Sequence, residues 1–149
     1  MLTFKLIDNS DIETITFMME EFYAIDHYPI DIALTKELFK EFISDKNLGM
    51  AWLIVNEKEI LGYVILTFIF SFEYKGKIAF LDELYIKEKM RGKGVGNQTI
   101  EFIKQQVTLL KVKLIYLEVE THNENAQKLY LANDFEFHNR KLMKYKIKE

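Results

Sequence analysis

Three of the six glycines in this chain lie within one short basic stretch, residues 87–97. An apolar run at residues 78–86 precedes the stretch, and apolar residues at helical spacing follow it as far as residue 111. A glycine loop between a strand and a helix points several backbone N–H groups, and the positive end of the helix dipole, at one place. The stretch therefore predicts either a phosphate-binding loop or a strand-to-helix turn with a solvated basic rim.

A dinucleotide-binding oxidoreductase is one alternative that such a loop raises. Its fingerprint, G-x-G-x-x-G, begins correctly at Gly92 and Gly94 but has Asn97 where the third glycine belongs. Glu118 or Glu120, one strand later, stands at about the right distance to bind a ribose. The loop lies in mid-chain after a predicted hairpin, which argues against this class. No P-loop sequence is present.

Composition limits the other classes of protein. The chain has 149 residues, 49% of them hydrophobic, which suits a single domain over residues 1–149. A net charge of −3 with dispersed basic residues argues against nucleic acid as a partner. The chain has no cysteine, and its three histidines lack metal-ligand spacing, so we expect no metal. The N-terminal sequence does not resemble a signal peptide and the apolar runs are short, so we expect a cytoplasmic protein without a membrane partner.

The periodicity of apolar residues predicts ten elements in the order β-α-α-β-β-β-α-β-α-β. We therefore expect a mixed α/β fold, with a mostly antiparallel sheet and about four helices on its two faces. Ser10 is the expected N-cap of the first helix, and Ile69 is expected to be buried in an unusually long strand. The predicted strands are residues 2–7, 51–55, 60–72, 78–86 and 113–120 with one within 135–147, and the predicted helices are residues 11–26, 35–45, 97–111 and 123–133.

Two patterns, read together, point to a family. Arg91-x-x-Gly94-x-Gly96 follows an apolar strand, and Asn123-x-x-Ala126-x-x-Leu129-Tyr130 follows one strand later. The combination, with the order of elements, resembles the GNAT superfamily of acetyl-CoA-dependent N-acetyltransferases over essentially the whole chain. The resemblance implies that strand main chain holds the pantetheine arm and that the loop wraps the pyrophosphate. The implied cofactor-binding residues are Leu84, Tyr85, Ile86, Arg91, Gly92, Lys93, Gly94, Val95, Gly96, Asn97 and Asn123.

An acidic pair, Asp82 and Glu83, interrupts the apolar strand before the loop. An amine with a pKa near 10 is about 0.1% neutral at pH 7, so a base must remove its proton before or during attack on a thioester. The family often has a glutamate where this chain has Asp82, so we rank Asp82 first and Glu83 second as the base. By alternation the two side chains point to opposite faces unless a bulge changes the register. Ion pairing with neighbouring lysine or arginine is the alternative role.

Tyr130 matches the family's proton donor to the departing thiolate, and its alternative role is a core aromatic. Asn123 is also a helix N-cap candidate. Asp134 replaces the usual family glycine, and aspartate tolerates the left-handed conformation that a helix end requires.

The acceptor is expected to be a primary amine of a small molecule. The stretch from residue 72 to residue 86 resembles the diamine and polyamine acetyltransferase branch, and acidic residues on the first helix and its following loop would attract a cation. Family members frequently form dimers, so the resemblance also raises a homodimer through the C-terminal strand. A non-catalytic acyl-CoA-binding module is the second alternative class.

Overall fold

The computed structural model describes all 149 residues as two compact units, Met1–Glu118 and Val119–Glu149. The first unit contains the whole sheet and three of the four helices. Its elements are β1 (Leu2–Leu6), α1 (Ile12–Ile25), α2 (Ile32–Ser44), β2 (Gly49–Asn56), β3 (Glu59–Ser71), β4 (Gly76–Ile86), α3 (Val95–Leu109) and β5 (Ile115–Tyr116). The second unit contains α4 (Glu124–Ala132). None of these helices combines the length and apolar character needed to cross a membrane.

The five strands form one sheet in sequential order, β1-β2-β3-β4-β5. Neighbours are antiparallel up to β4, and β5 lies parallel to β4. The predicted mixed sheet and the predicted β2–β3 hairpin are confirmed. A parallel neighbour requires a crossover, and α3 supplies it.

Helices cover both faces of the sheet in the first unit. The apolar side of α1, with Phe39 of α2, packs on one face against residues such as Leu53 and Tyr63. On the other face Val95 of α3 packs against Ile54 and Leu61. The Phe102 ring of α3 stacks on Phe4 at 4.1 Å between centroids and meets Trp52 edge-on at 5.4 Å. Aromatic side chains therefore contribute to the packing of both interfaces.

A β-bulge interrupts the pairing of β4 with β3. Ile65 pairs with Glu83 and Leu66 pairs with Leu81, so Asp82 has no partner residue on β3. An extra residue on one strand breaks the simple alternation of faces and bends the strand. The alternation argument for Asp82 and Glu83 therefore does not apply at this point of the sheet.

Several local expectations are wrong for identifiable reasons. Ser10 is not the cap of the first helix, because the Asp8 carboxylate accepts the Ser10 N–H at 2.8 Å and begins a short 3₁₀ turn ahead of α1. Ile69, which was expected to be buried, is 50% exposed because β3 extends past the end of β2 at Gly49. β5 has only two residues, since only Ala79 and Phe80 of β4 pair with it.

The second unit contains one helix and an irregular C-terminal segment. Asn123 caps α4, because its side-chain oxygen accepts the Ala126 N–H at 3.1 Å. Asp134 has a φ of 69°, which confirms the left-handed helix end predicted for it. The closing strand predicted within residues 135–147 is wrong. Its alternating pattern finds no partner strand, and an isolated strand leaves its main-chain groups without ladder hydrogen bonds.

Candidate active site

The glycine loop between β4 and α3 is open around its main chain. Gly92 and Gly94 have φ values of 74° and 82°, in the left-handed region, and a Cβ on either would meet no atom within 4 Å. Gly94 is the N-cap of α3, and no side chain caps the helix there. The loop therefore presents backbone at the positive end of a 15-residue helix, with space for an anion to approach.

Two of the basic side chains around this loop have structural contacts. Arg91 donates from Nε to the Ile86 carbonyl at 3.0 Å, and its guanidinium lies 5.9 Å from the Tyr85 ring centroid. This ties the loop to the end of β4. Lys89 forms an ion pair with Glu59, whereas Lys93 is exposed. Arg91 keeps its remaining guanidinium N–H groups for other acceptors.

The carboxyl half of β4 has an open edge. The Lys87 N–H bonds to the Leu61 carbonyl at 2.8 Å, which fixes the phase of the pairing with β3. By antiparallel alternation the main-chain groups of Leu84 and Ile86 then point away from β3. β5 pairs with β4 only at Ala79 and Phe80, so it does not cover this edge. An extended ligand can therefore add to β4 at Leu84 and Ile86.

Tyr85 differs from its two neighbours. Its main chain faces β3, opposite Tyr63, and its side chain is buried in the core beneath α1. Its ring lies 5.3 Å from that of Phe22 and 5.8 Å from that of Tyr63. The edge therefore includes two of the three strand residues expected to bind the cofactor through the main chain.

Glu83 lies on the α1 side of the sheet and has two tyrosine partners. Tyr23 of α1 donates its hydroxyl to Oε2 at 2.6 Å, and Tyr63 of β3 donates to Oε1 at 2.7 Å. Burial raises the pKa of the Glu83 carboxyl and the Asp82 charge adds to this, while the two phenol hydrogen bonds lower it. The net effect is a pKa raised above the ordinary value, because burial outweighs the two hydrogen bonds.

Asp82 occupies the bulge and is more exposed than Glu83. No protein group donates a hydrogen bond to its side chain. Partial burial of the carboxyl raises the pKa of Asp82, and the Glu118 carboxylate raises it further. Neither acid forms an ion pair with lysine or arginine, so that alternative role is not found in the structure.

Tyr23 and Tyr63 were not identified as functional residues from the sequence. They lie 60 and 20 residues from Glu83, and no local pattern links positions at such separations. Tyr63 sits diagonally across the β3–β4 pair from Glu83, so a correct strand register would have been the one available signal.

Tyr130 belongs to the second unit, on α4. Its ring meets that of Phe135 edge-on, at 5.6 Å between centroids. Burial raises the pKa of Tyr130 to about 12, so the phenol keeps its proton at neutral pH.

A groove of about 470 Å³ runs along α1 at its contact with the start of α2. Of the acids expected to attract an acceptor, Glu20 lines this groove, while Asp31 serves as the N-cap of α2 by accepting the Leu34 N–H at 3.0 Å. The groove carries both signs of charge. Its lining residues are Glu13, Thr14, Thr16, Phe17, Met18, Glu20, Ile32, Lys36 and Lys87.

The open glycine loop, the open strand edge and the partly buried Glu83 carboxyl lie on one short segment, as expected for a domain that takes an acyl-carrying nucleotide thioester. Comparison with protein families agrees: residues 15–135 match the acetyltransferase (GNAT) family, and the chain belongs to it. Two curated relatives match shorter segments. A D-amino-acid N-acetyltransferase of Saccharomyces cerevisiae is 33% identical over 36% of this chain and 34% of its own length. An uncharacterized N-acetyltransferase of Bacillus subtilis is 31% identical over 55% and 51%.

The chain therefore spans about a third of the length of the yeast relative and about half of the length of the Bacillus subtilis relative. Solved structures agree over almost the whole chain. An integron cassette protein from the mobile metagenome of Cole Harbour Salt Marsh has a TM-score of 0.88 at 27% identity, covering 98% of this chain and 91% of that one. A protein of Clostridium acetobutylicum, described as a predicted acetyltransferase with acetyl-CoA, has a TM-score of 0.82 at 14% identity, covering 97% and 96%.

Proposed function

We propose that this acetyltransferase moves the acetyl group of acetyl-CoA to a primary amine of a small molecule, by direct attack within a ternary complex. The observation that carries the proposal is the pairing of an open glycine loop with an open strand edge at the two ends of one short segment, residues 84–97. Coenzyme A has a pyrophosphate for the first and a peptide-like pantetheine arm for the second.

The donor is proposed to bind in one direction. The loop from Arg91 to Asn97 holds the pyrophosphate, and the main chain of Leu84 and Ile86 holds the pantetheine amides. This places the thioester toward the bulge, at Asp82 and Glu83. Asn123 is proposed as a further cofactor contact, which its role as the cap of α4 does not prevent.

The proposed reaction forms one bond and breaks one. The neutral amine nitrogen attacks the thioester carbonyl carbon, and an outward-facing strand N–H, that of Leu84 or Ile86, stabilises the tetrahedral oxyanion. The C–S bond then breaks, giving the amide and a thiolate. The amine proton passes to a carboxylate directly or through water, and Tyr130 supplies a proton to the thiolate.

Glu83 is our first candidate for the carboxylate, which reverses the order expected from the sequence. Its side chain lies on the face covered by α1, where two hydrogen bonds fix it. Asp82 is the second candidate. It is exposed at the bulge, and the Glu118 charge raises its pKa. Glu83→Gln and Asp82→Asn, each assayed from pH 6 to pH 9, distinguish them. Full turnover in one variant across that range excludes its residue as the base.

The acceptor is proposed to be cationic before reaction, with a polyamine-like amine as the first class to test. Acidic side chains on α1, among them Glu20 at the groove, support this choice. The yeast relative named for D-amino acids makes amino acids the second class to test. The mixed charge of the groove, with Lys36 and Lys87 beside its glutamates, would also suit a zwitterion.

The deciding experiment is a thiol-release assay with acetyl-CoA. We would test polyamines, D- and L-amino acids, aminoglycosides and peptide N-termini, and identify the acetylated product by mass spectrometry. Amine-dependent release of coenzyme A with a matching acetylated product supports the proposal. A protein that binds acetyl-CoA without releasing thiol would instead be a non-catalytic acyl-CoA-binding module.

The family match does not favour the alternative of a dinucleotide-binding oxidoreductase. A purified protein that retains NAD and not coenzyme A would support that alternative. We also propose that the protein is cytoplasmic and forms a homodimer. Size-exclusion chromatography with light scattering would test the dimer.

A further inference from the structure

We propose that Tyr23 and Tyr63 are positioning residues that hold the Glu83 carboxylate in one orientation to receive the proton of the acceptor amine. This inference rests on the proposed function. It assigns a task to two tyrosines that the chemistry of acetyl transfer does not by itself require.

The geometry of the contact is that of a clamp. The two phenols approach different carboxylate oxygens, at 2.6 Å to Oε2 and 2.7 Å to Oε1. They come from different elements, α1 and β3, so rotation of the carboxyl group would break both hydrogen bonds. An ionised carboxylate has about four lone-pair sites, and the clamp uses two of them. The remaining sites are available to an ammonium or a water.

Contacts with neighbouring aromatic rings hold the two tyrosines of the clamp in place. Tyr63 is fully buried, and its ring meets those of Phe22 and Tyr85 at 6.4 and 5.8 Å. The Tyr23 ring meets that of Phe22 at 6.2 Å, and Tyr23 itself is only partly buried. The carboxylate is therefore held from the core side by Tyr63, while the side toward Tyr23 is nearer to solvent.

No cation compensates the charge of Glu83. The titratable groups that act on it are Tyr23 from α1, Tyr63 from β3 and Asp82 from its own strand. Asp82 opposes ionisation, so the two phenol O–H groups are the contacts that favour the charged form. In a partly buried site, hydrogen bonds to a charged acceptor are stronger than neutral ones.

The sign of the effect follows from these contacts. The phenol hydrogen bonds lower the pKa of Glu83, against burial, which raises it. Removing one phenol O–H therefore raises the pKa further. Since only the ionised carboxylate accepts a proton, the acid limb of a pH–rate profile must move to higher pH in Tyr23→Phe and Tyr63→Phe.

The first test is independent of turnover. The carboxyl carbons of ¹³C-labelled glutamate would be titrated by NMR in the full chain, with Glu83→Gln used to assign the resonance of Glu83. We expect the Glu83 midpoint to rise by about one pH unit in Tyr23→Phe, the size that loss of one hydrogen bond to a charged group implies. Tyr74→Phe is the matched control, because its hydroxyl meets Tyr116 at 3.3 Å and not Glu83.

The second test is the pH dependence of kcat/KM with the best amine from the panel. We expect the acid limb to move by the same amount, with the KM for acetyl-CoA unchanged. Tyr23→Phe should have no further effect in the Glu83→Gln background. An unchanged Glu83 midpoint in folded Tyr23→Phe and Tyr63→Phe proteins would overturn the clamp. Absence of thiol release by the wild-type protein with every amine would count against the proposed function instead, and the NMR result would still decide the clamp.

Discussion

At the scale of single residues, two kinds of tyrosine have different expected tasks. Tyr23 and Tyr63 donate to a carboxylate, whereas Tyr130 is proposed to give its proton to a thiolate. Burial raises the pKa of Tyr130 to about 12, so no basic limb from this residue is expected in the physiological range. A thiol has a lower pKa than this phenol, so the proton transfer to the thiolate is uphill, and the Tyr130 phenolate must regain a proton within the same turnover.

We expect Tyr130→Phe to lower kcat by about 10² or more, the usual contribution of a general acid, with binding of acetyl-CoA retained. Stopped assays of thiol release and calorimetric titration with acetyl-CoA measure the two quantities. Tyr145→Phe is the matched control, since Tyr145 lies in the same unit and is 82% exposed. Wild-type rates in Tyr130→Phe would remove Tyr130 from the reaction.

The sequence alone was enough to select both acids of the candidate site, because charged residues in an apolar strand stand out. It could not assign their environments. The bulge at Asp82 decides which face each acid occupies, and a bulge depends on cross-strand pairing that no local pattern encodes. The hydrogen bonds to Glu83 depend on the same pairing and on the placement of α1.

At the scale of elements, Gly62 permits β3 and β4 to pack closely. A Cβ added there would lie 1.9 Å from the Tyr85 carbonyl oxygen, which is main chain and cannot move aside. Gly62 pairs with Ile86 in the register, at the strand end proposed to hold the donor. The absence of a side chain at residue 62 therefore helps to set the position of the open edge.

We expect Gly62→Ala to reduce the free energy of unfolding by more than about 2 kcal/mol, because the added methyl group would overlap main-chain atoms and the two strands would have to separate to make room. Urea unfolding followed by far-UV circular dichroism measures it. In the control Gly92→Ala, the new methyl group meets no atom within 4 Å, and we expect a cost of about 1 kcal/mol from the left-handed backbone alone. Equal losses in the two variants would contradict this account.

Element type was predictable where periodicity was strong, as in α3, whose buried residues include Ile100, Ile103 and Val107. The ends of the elements, and the strands with which each strand pairs, could not be predicted from periodicity. The C-terminal alternation suggested a strand, but a strand forms only when another strand offers its edge, and that information is not local. The cap of the first helical segment was missed because a carboxylate at Asp8 outcompetes the hydroxyl of Ser10.

At the scale of the whole molecule, ligand binding and stability are linked. A ligand that binds only the folded protein raises its stability by RT ln(1 + [L]/Kd), about 2.7 kcal/mol at a hundredfold excess over Kd. The ligand that stabilises the chain therefore reports on which donor class the loop and strand edge recognise.

We expect acetyl-CoA at about a hundredfold excess over Kd to raise the Tm by roughly 5–11 °C, taking about 2–4 °C per kcal/mol for a chain of this size. NAD at the same concentration should leave the Tm unchanged. Differential scanning fluorimetry measures both, with free coenzyme A as a further control for the acetyl group. A shift with NAD and none with acetyl-CoA would contradict the proposed donor.

The bulge at Asp82 also has a consequence for which changes in chain length this protein can accept. Between the bulge and Ile86, where β4 ends, the count of residues fixes which main-chain groups face the open edge and which side chain faces α1. An insertion or deletion of one residue there would exchange the two sets, since side chains and edge groups alternate with a period of two. Length variation among natural relatives is therefore expected in the β3–β4 turn, where Phe72 is 90% exposed, and not between residues 82 and 86.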